Sequence, residues 1–287
     1  MNASRFFPRS VTAIFVMAGM SAAMTYGAPA ANPHDQASAV KQAAPSVDER
    51  IAQMAAPTAQ QTADALAAAD GLIARSDLVA YRGWLKYLKF RATADPVRLG
   101  ADSVGAKTAY ANLVDWTAKI KANPHLIDQL RGVQEWAYES SADGTGQPFK
   151  IAIPTDYDPA HRAGLSLYCH GYSGNHLEHS AGMTAHPGRF EVAVLGRARG
   201  GMYRMLSERD VLDVLAYIKA TWKIDENRVD LSGGSMGGFA SMWFGSRYPD
   251  LFACARPSCG FALQTPVENM INLPVYSLHS KDDRWCT

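Results

Sequence analysis

The 287-residue sequence predicts an α/β chain: a mostly parallel sheet with helices on both faces, preceded by a helical N-terminal region. Three observations predict it. From Val47 to about Arg131, apolar residues recur at helical spacing. Beyond SSADGTGQP (residues 140–148), short runs rich in Val, Ile, Leu and Tyr alternate with longer segments. One of those runs, RVDLSGG (residues 228–234), stops at a glycine-flanked serine and passes into a helix-like stretch that closes at Pro249.

The first 30 residues carry Arg5 and Arg9, an apolar stretch from Val11 to Met24, and small residues around Ala28 and Ala30. That arrangement predicts a secretory signal peptide cleaved after Gly27 or Ala30, because the apolar stretch is short of the ~20 residues of a spanning helix. The mature chain is therefore expected to be secreted or periplasmic, with no stable membrane anchor. Residues 31–46, mainly Ala, Pro, Gln and Ser, read as a linker.

Residues 47–135 form the expected helical region. Leu78, Tyr81, Leu85 and Leu88 share one helix face, and Arg82, Lys86 and Lys89 the opposite, solvated one. Tyr110, Leu113, Thr117 and Ile120 repeat the pattern, and ADPVRLG (residues 94–100) is expected to break the chain between the two helices. Residues 136–287 form the strand-and-helix domain, with FKIAIP, LSLYCHG, EVAVLG, RVDLSG, LFACARPSC and LPVYSLHS as strands. Ser207, with Asp210 three residues on, is placed to cap a helix whose buried face holds Val211, Leu215 and Ile218. Strands alternating with helices imply a parallel sheet, and ligands of such sheets sit at the carboxyl ends of the strands.

The formal charge of +1, with acids and bases interspersed, gives no nucleic-acid groove and no polybasic membrane patch. Small or neutral substrates fit better. Cys169, Cys254, Cys259 and Cys286 lack the paired spacing of zinc or redox motifs, and their pairing stays open. HLEH (residues 176–179) spaces two imidazoles three apart but meets no metalloprotease pattern, so no metal is expected.

GGSMGG satisfies G-x-S-x-G with Gly233, Ser235 and Gly237. At a tight strand-to-helix turn the residues two positions either side of the serine are pressed together, which glycine permits, and the turn lifts the hydroxyl clear of the sheet. Upstream, CHGYSGN places His170 and Gly171 just after a strand. Acyl transfer needs two N–H groups aimed at the developing oxyanion; Met236, after the serine, and Tyr172, in this loop, would supply them, while Gly171 lets the backbone approach and His170 shapes the loop.

These residues resemble the α/β-hydrolase superfamily, and more narrowly its secreted branch of polyhydroxybutyrate depolymerase-like and other esterases and prolyl oligopeptidase-like enzymes. The resemblance covers residues ~136–285, on DGTGQPFKIAIPTDYDP, CHGYSGN, DENRVDLSGGSMGG and LPVYSLHSKDD. It implies an α/β-hydrolase fold, here without its last strand and helix, and hydrolysis of a small-molecule or polymer ester through acyl-Ser235, with no cofactor. It also implies an acid after the LPVYSLHS strand, often in an H-G-x-x-D turn. In HSKDDR that acid is Asp282, with Asp283 as the fallback.

The same order, serine then acid then histidine, exposes a difficulty: no histidine follows Asp282. His279 precedes the acid, and His176, His179 and His186 lie out of order in the loop after the oxyanion strand. The expectation is thus an esterase sequence shortened before its base, with little activity as written. A prolyl oligopeptidase-like peptidase and a non-catalytic binding protein are the alternatives.

Overall fold

Helix caps set where the N-terminal elements begin. The computed structural model describes residues 46–179, 182–260, 262, 264–284 and 286. The expected signal peptide and all but the last residue of the linker lie outside them. Ser46 opens α1 (Val47–Gln53) and Thr58 opens α2 (Ala59–Ile73), each hydroxyl accepting from the N3 amide while the Glu49 or Gln61 side chain accepts from the cap's own amide. A 3-10 turn (Ser76–Tyr81) leads into α3 (Arg82–Leu99), followed by α4 (Val104–Ala122), capped by Ser103, and the short α5 (Leu126–Gln129). None of the described helices is long and apolar enough to cross a membrane.

Two expectations for this region change. α3 runs through Pro96 in its last turn and ends only at Gly100, whose φ of 90° suits glycine, so the break falls later than expected. The Arg82, Lys86 and Lys89 stripe is not a solvated face. Lys86 pairs with Glu139, Lys89 pairs with Asp70, and Arg82 donates to the Ile73 carbonyl at 3.1 Å. The helix lies against other elements on that side too. Leu78, Tyr81, Leu85, Leu88, Leu113 and Ile120 are buried as the apolar period requires.

The sheet has the order β1-β2-β4-β3-β5-β6. Its strands are β1 (Gly132–Glu139), β2 (Gly146–Ile153), β3 (Ala163–Cys169), β4 (Arg189–Val194), β5 (Ile224–Gly234) and β6 (Cys254–Ser258). β4, β3, β5 and β6 run parallel; β2 is antiparallel to β4 and to β1. β1 escapes the sequence reading. The sheet therefore starts at Gly132, four residues ahead of the expected boundary at 136.

The last expected strand, LPVYSLHS, is present as two parallel bridges to β6, Ala255 to Val275 and Ser258 to Leu278. Backbone bonds along 274–278 continue the ladder: Tyr276 N–H donates to Ala255 at 3.0 Å, and Leu278 N–H donates to Pro257 at 3.0 Å.

α7 (Leu206–Thr221) and α8 (Met236–Arg247) cover one face of the sheet, meeting Leu165, Leu167, Cys169, Val229 and Leu231. α6 (His176–His179) lies on the other side of the sheet plane, beside β2 and β4. On that side Ser166, Glu191, Ser232 and Arg256, together with Tyr168, Met183 and Leu278, line an open cavity of about 530 Å³. α7 begins at Leu206 with Met205 as N-cap and no side-chain cap bond, so Ser207 is not the cap; it is buried in the first turn. Val211, Leu215 and Ile218 are buried as expected.

The helical region joins the sheet through aromatic contacts. Trp84 of α3 stacks on Trp136 of β1 with centroids 5.0 Å apart, and Trp116 of α4 meets Trp136 edge-on at 5.3 Å. Such pairs add about 0.5–1.5 kcal/mol each beyond area burial. The helix can approach this closely because Gly83 faces β1 backbone: a Cβ there would lie 2.0 Å from the Tyr138 carbonyl carbon. Gly83→Ala is therefore expected to lower the melting temperature by several degrees, since overpacking costs about 1–3 kcal/mol. Gly71→Ala in α2, where a Cβ meets nothing within 4 Å, is the control and should leave the melting temperature unchanged or raised. Equal melting temperatures for the two variants would refute the close-packing account.

Candidate active site

Ser235 sits where β5 turns into α8, with φ 55° and ψ −118°, and its side chain is exposed. Those angles are costly for a serine and are held by the surroundings. The Ser235 N–H donates to the Ser258 carbonyl of β6 at 2.8 Å, which anchors the turn to the neighbouring strand.

Glycine at both flanks is a packing requirement. A Cβ on Gly237 would fall 1.9 Å from the Cys169 carbonyl oxygen and 3.0 Å from that of His170; one on Gly233 would fall 2.5 Å from the Gly237 carbonyl. Both glycines thus let the first turn of α8 rest on the end of β3. The residues just after β3 arrive beside the serine: a Cβ on Gly171 would stand 3.4 Å from the Gly234 carbonyl oxygen and 3.8 Å from Ser235 Cβ. The structure therefore brings Gly171, Gly233, Ser235 and Gly237 together. Met236 is the buried first residue of α8, so its N–H is one of the helix's free leading donors. Tyr172 is 72% exposed, with its ring over Gly200.

His170 shapes the loop, as its place in the motif suggests. Its ring nitrogens lie 2.7 Å from the Gly171 carbonyl oxygen and 2.8 Å from that of Leu195, and the Tyr203 hydroxyl donates to its carbonyl at 3.2 Å. Both nitrogens thus lie against backbone carbonyl oxygens of the surrounding loops. Ser173 N–H donates to Arg199 at 2.7 Å. The Arg199 connection between β4 and α7 is strained, with positive φ at Arg197 (65°), Met202 (52°), Tyr203 (53°) and Met205 (57°). The sequence reading missed this support, since Tyr203 and Arg199 carry no local motif.

The acid region lies past Leu278. Because 275–278 runs parallel to β6, and β6 parallel to β5, HSKDDR emerges at the same end of the sheet as Ser235. Asp282 is exposed, its N–H bonded to Ser280 Oγ at 3.2 Å. Asp283 is the more enclosed: it accepts from the Cys286 N–H at 3.0 Å and lies 3.4 Å from His279 Nε2. His176 is buried and faces Glu135 rather than the elbow, His186 lies 3.8 Å from Glu191, and the side chain of His179 lies outside the described residues. Among the described residues no group of three His, Cys, Asp or Glu could hold a metal. All four cysteines are free, and complete burial pushes the Cys169 thiol well up.

Residues 180–269 match the model of the prolyl oligopeptidase family. No curated relative matches the sequence. Among solved structures the chain is similar to a thermostable esterase, at 23% identity and TM-score 0.43, over 55% of this chain and 48% of that one. It is also similar to the fluorophosphonate-binding serine hydrolase F of Staphylococcus aureus, at 17% identity and TM-score 0.36, over 45% of this chain and 57% of that one. Oligopeptidase B from Leishmania major is a third, at 16% identity and TM-score 0.37, over 45% of this chain and 20% of that one. The chain thus spans about half the length of the esterase and a fifth of that of the oligopeptidase. The family match covers β4 to β6 and the serine turn between them, within a sheet of order β1-β2-β4-β3-β5-β6.

The elbow geometry predicts a sharp contrast between neighbouring glycines. Gly237→Ala must separate β3 from α8 and is expected to lower both the melting temperature and the yield of folded protein. Gly234→Ala, whose Cβ would be 4.0 Å from the nearest neighbouring atom, the Ser258 carbonyl oxygen, should be tolerated. Circular dichroism and thermal melting of the two variants side by side check this.

Proposed function

We propose that this protein is an exported serine hydrolase that cleaves carboxylic esters through an acyl-Ser235 intermediate. The observation that carries the proposal is Ser235 itself, exposed at positive φ on a strand-to-helix turn with the Gly171 loop against it. In this reading Ser235 Oγ attacks the ester carbonyl carbon, and the Met236 and Tyr172 N–H groups receive the charge on its oxygen. The carbon–alkoxy bond then breaks, the alcohol leaves with a proton, and water hydrolyses the acyl-serine. The reading requires an imidazole to carry the proton between these steps, and assigns Asp282, or its neighbour Asp283, to orient it. No cofactor enters the scheme.

The match to the prolyl oligopeptidase family favours a second reading, cleavage of a peptide bond by the same serine. Two substrates with one acyl group separate the readings. The protein is expected to hydrolyse a nitrophenyl ester and to leave the matching nitroanilide intact; comparable rates on both would favour the peptidase. Ser235→Ala is expected to remove the ester activity, a loss on the order of 10⁶ in turnover where serine, base and acid act as a unit. Activity that survives in Ser235→Ala would sink both readings, and a parent inactive on both substrates would leave the binding-protein alternative.

Export is proposed on the pattern of residues 1–30 alone. N-terminal sequencing of the mature protein from the periplasm or medium should read from Ala28 or Ala31. Recovery of the intact N-terminus from the cytoplasm would refute it.

A further inference from the structure

On the reading proposed above, the loop after β3 has to hold the Tyr172 N–H at one point beside Ser235. Its upstream end is fixed by His170 on the Gly171 and Leu195 carbonyls. Its downstream end runs into α6, whose first residue is His176. That side chain is 7% exposed, and its Nε2 lies 3.2 Å from Glu135 Oε1 on β1.

The same carboxylate oxygen accepts from the Tyr87 hydroxyl of α3 at 2.8 Å. Tyr87 in turn accepts from Arg91 Nη1 at 2.9 Å, and Arg91 Nε donates to Asp95 Oδ2 at 2.6 Å. Asp95 ends the series with a side chain only 2% exposed.

The direction of each bond follows from the groups. A carboxylate accepts and a guanidinium donates, so Tyr87 gives its proton to Glu135 and His176 carries its proton on Nε2. Burial, reinforced by the Glu135 charge, pushes the Tyr87 hydroxyl up to about 12, so it stays a donor at neutral pH. Burial pushes the Glu135 carboxyl up, but the bonds from His176 and Tyr87 outweigh it and hold the group below its ordinary value. Glu135 is thus ionised, and its acceptor role is constant. His176 Nδ1 is buried with no hydrogen-bond partner, so the contact with Glu135 is what sets the ring.

We propose that His176 is a positioning residue: through Glu135, Tyr87 and Arg91, the helical region holds the downstream end of the oxyanion loop. The helical layer then has a task in catalysis although none of its side chains reaches Ser235 chemistry. The bond is specific in a way packing is not. A leucine at 176 would fill the space and lose the hold, whereas a glutamine could donate to Glu135 as the imidazole does.

The test compares His176→Leu, His176→Gln and Tyr87→Phe in the full-length protein, by hydrogen exchange of amides 171–177 and by hydrolysis of nitrophenyl acetate. Opening of a local segment is read directly by exchange. His176→Leu is expected to exchange these amides about tenfold faster, with global melting little changed, and His176→Gln to exchange as the parent does. Removing an oxyanion donor outright costs on the order of 10²–10³ in turnover, so a loosened donor should cost less, about tenfold in kcat with KM unchanged. Tyr87→Phe, which removes one hydroxyl outside the loop, should move both readouts the same way, and it decides the matter if His176→Leu does not fold.

Parent-like exchange in both His176→Leu and Tyr87→Phe, or glutamine exchanging as fast as leucine, overturns the inference. A parent protein without Ser235-dependent hydrolysis defeats the hydrolase reading instead. In that case the exchange rates alone still decide whether His176 holds the loop.

Discussion

The contact on which the rest of the site depends is between two pieces of backbone. The first turn of α8 rests on the Cys169 and His170 carbonyls at the end of β3, with no room for a side chain at Gly237. That contact sets the depth of the turn, hence the exposure of Ser235. It also fixes the distance between the serine and the loop that begins at His170. Every other feature supports it from one side: β6 through the Ser235 amide, and the strained connection after β4 through Arg199 and Leu195. The positive φ of Ser235 is sustained because its neighbours are so confined.

Much of this was legible because glycine spacing encodes backbone shape rather than tertiary contacts. Gly233, Ser235 and Gly237 announce an elbow whatever packs around them, and the Gly171 loop does likewise. The alternation of Val- and Ile-rich runs likewise carried the parallel part of the sheet. β1 was not legible, since GVQEWAYE mixes two glutamates with large aromatics and lies directly after a helical region. Its glutamates make sense only against partners remote in sequence: Glu135 meets Tyr87, and Glu139 meets Lys86. The same remoteness misled the reading of the basic stripe on α3. Ser207 was misplaced for another reason, because the chain enters α7 through Met205 at φ 57°, a conformation no sequence pattern there suggests.

The acid shows the opposite limit. Two adjacent aspartates have nearly identical local signals, and spacing from the preceding strand cannot separate them. Their surroundings differ: Asp283 lies against His279 and the Cys286 amide, while Asp282 is exposed. A charge on the open face of the sheet follows a similar logic. Asp230 is buried yet paired with both Arg189 and Arg256, so the charge is satisfied on a face that α7 and α8 do not cover.

The indole cluster at the junction gives the molecule a built-in optical reporter. Trp84 and Trp116 come from the helical region and Trp136 from the sheet, all within 5.0 to 5.6 Å of one another by ring centroid. Excited indoles that close share their energy and are sensitive to the water around them. Emission from the native protein therefore registers whether the two layers are in register, without any label. Detachment of the helices would be visible in that signal even while the strands around the serine kept their pairing.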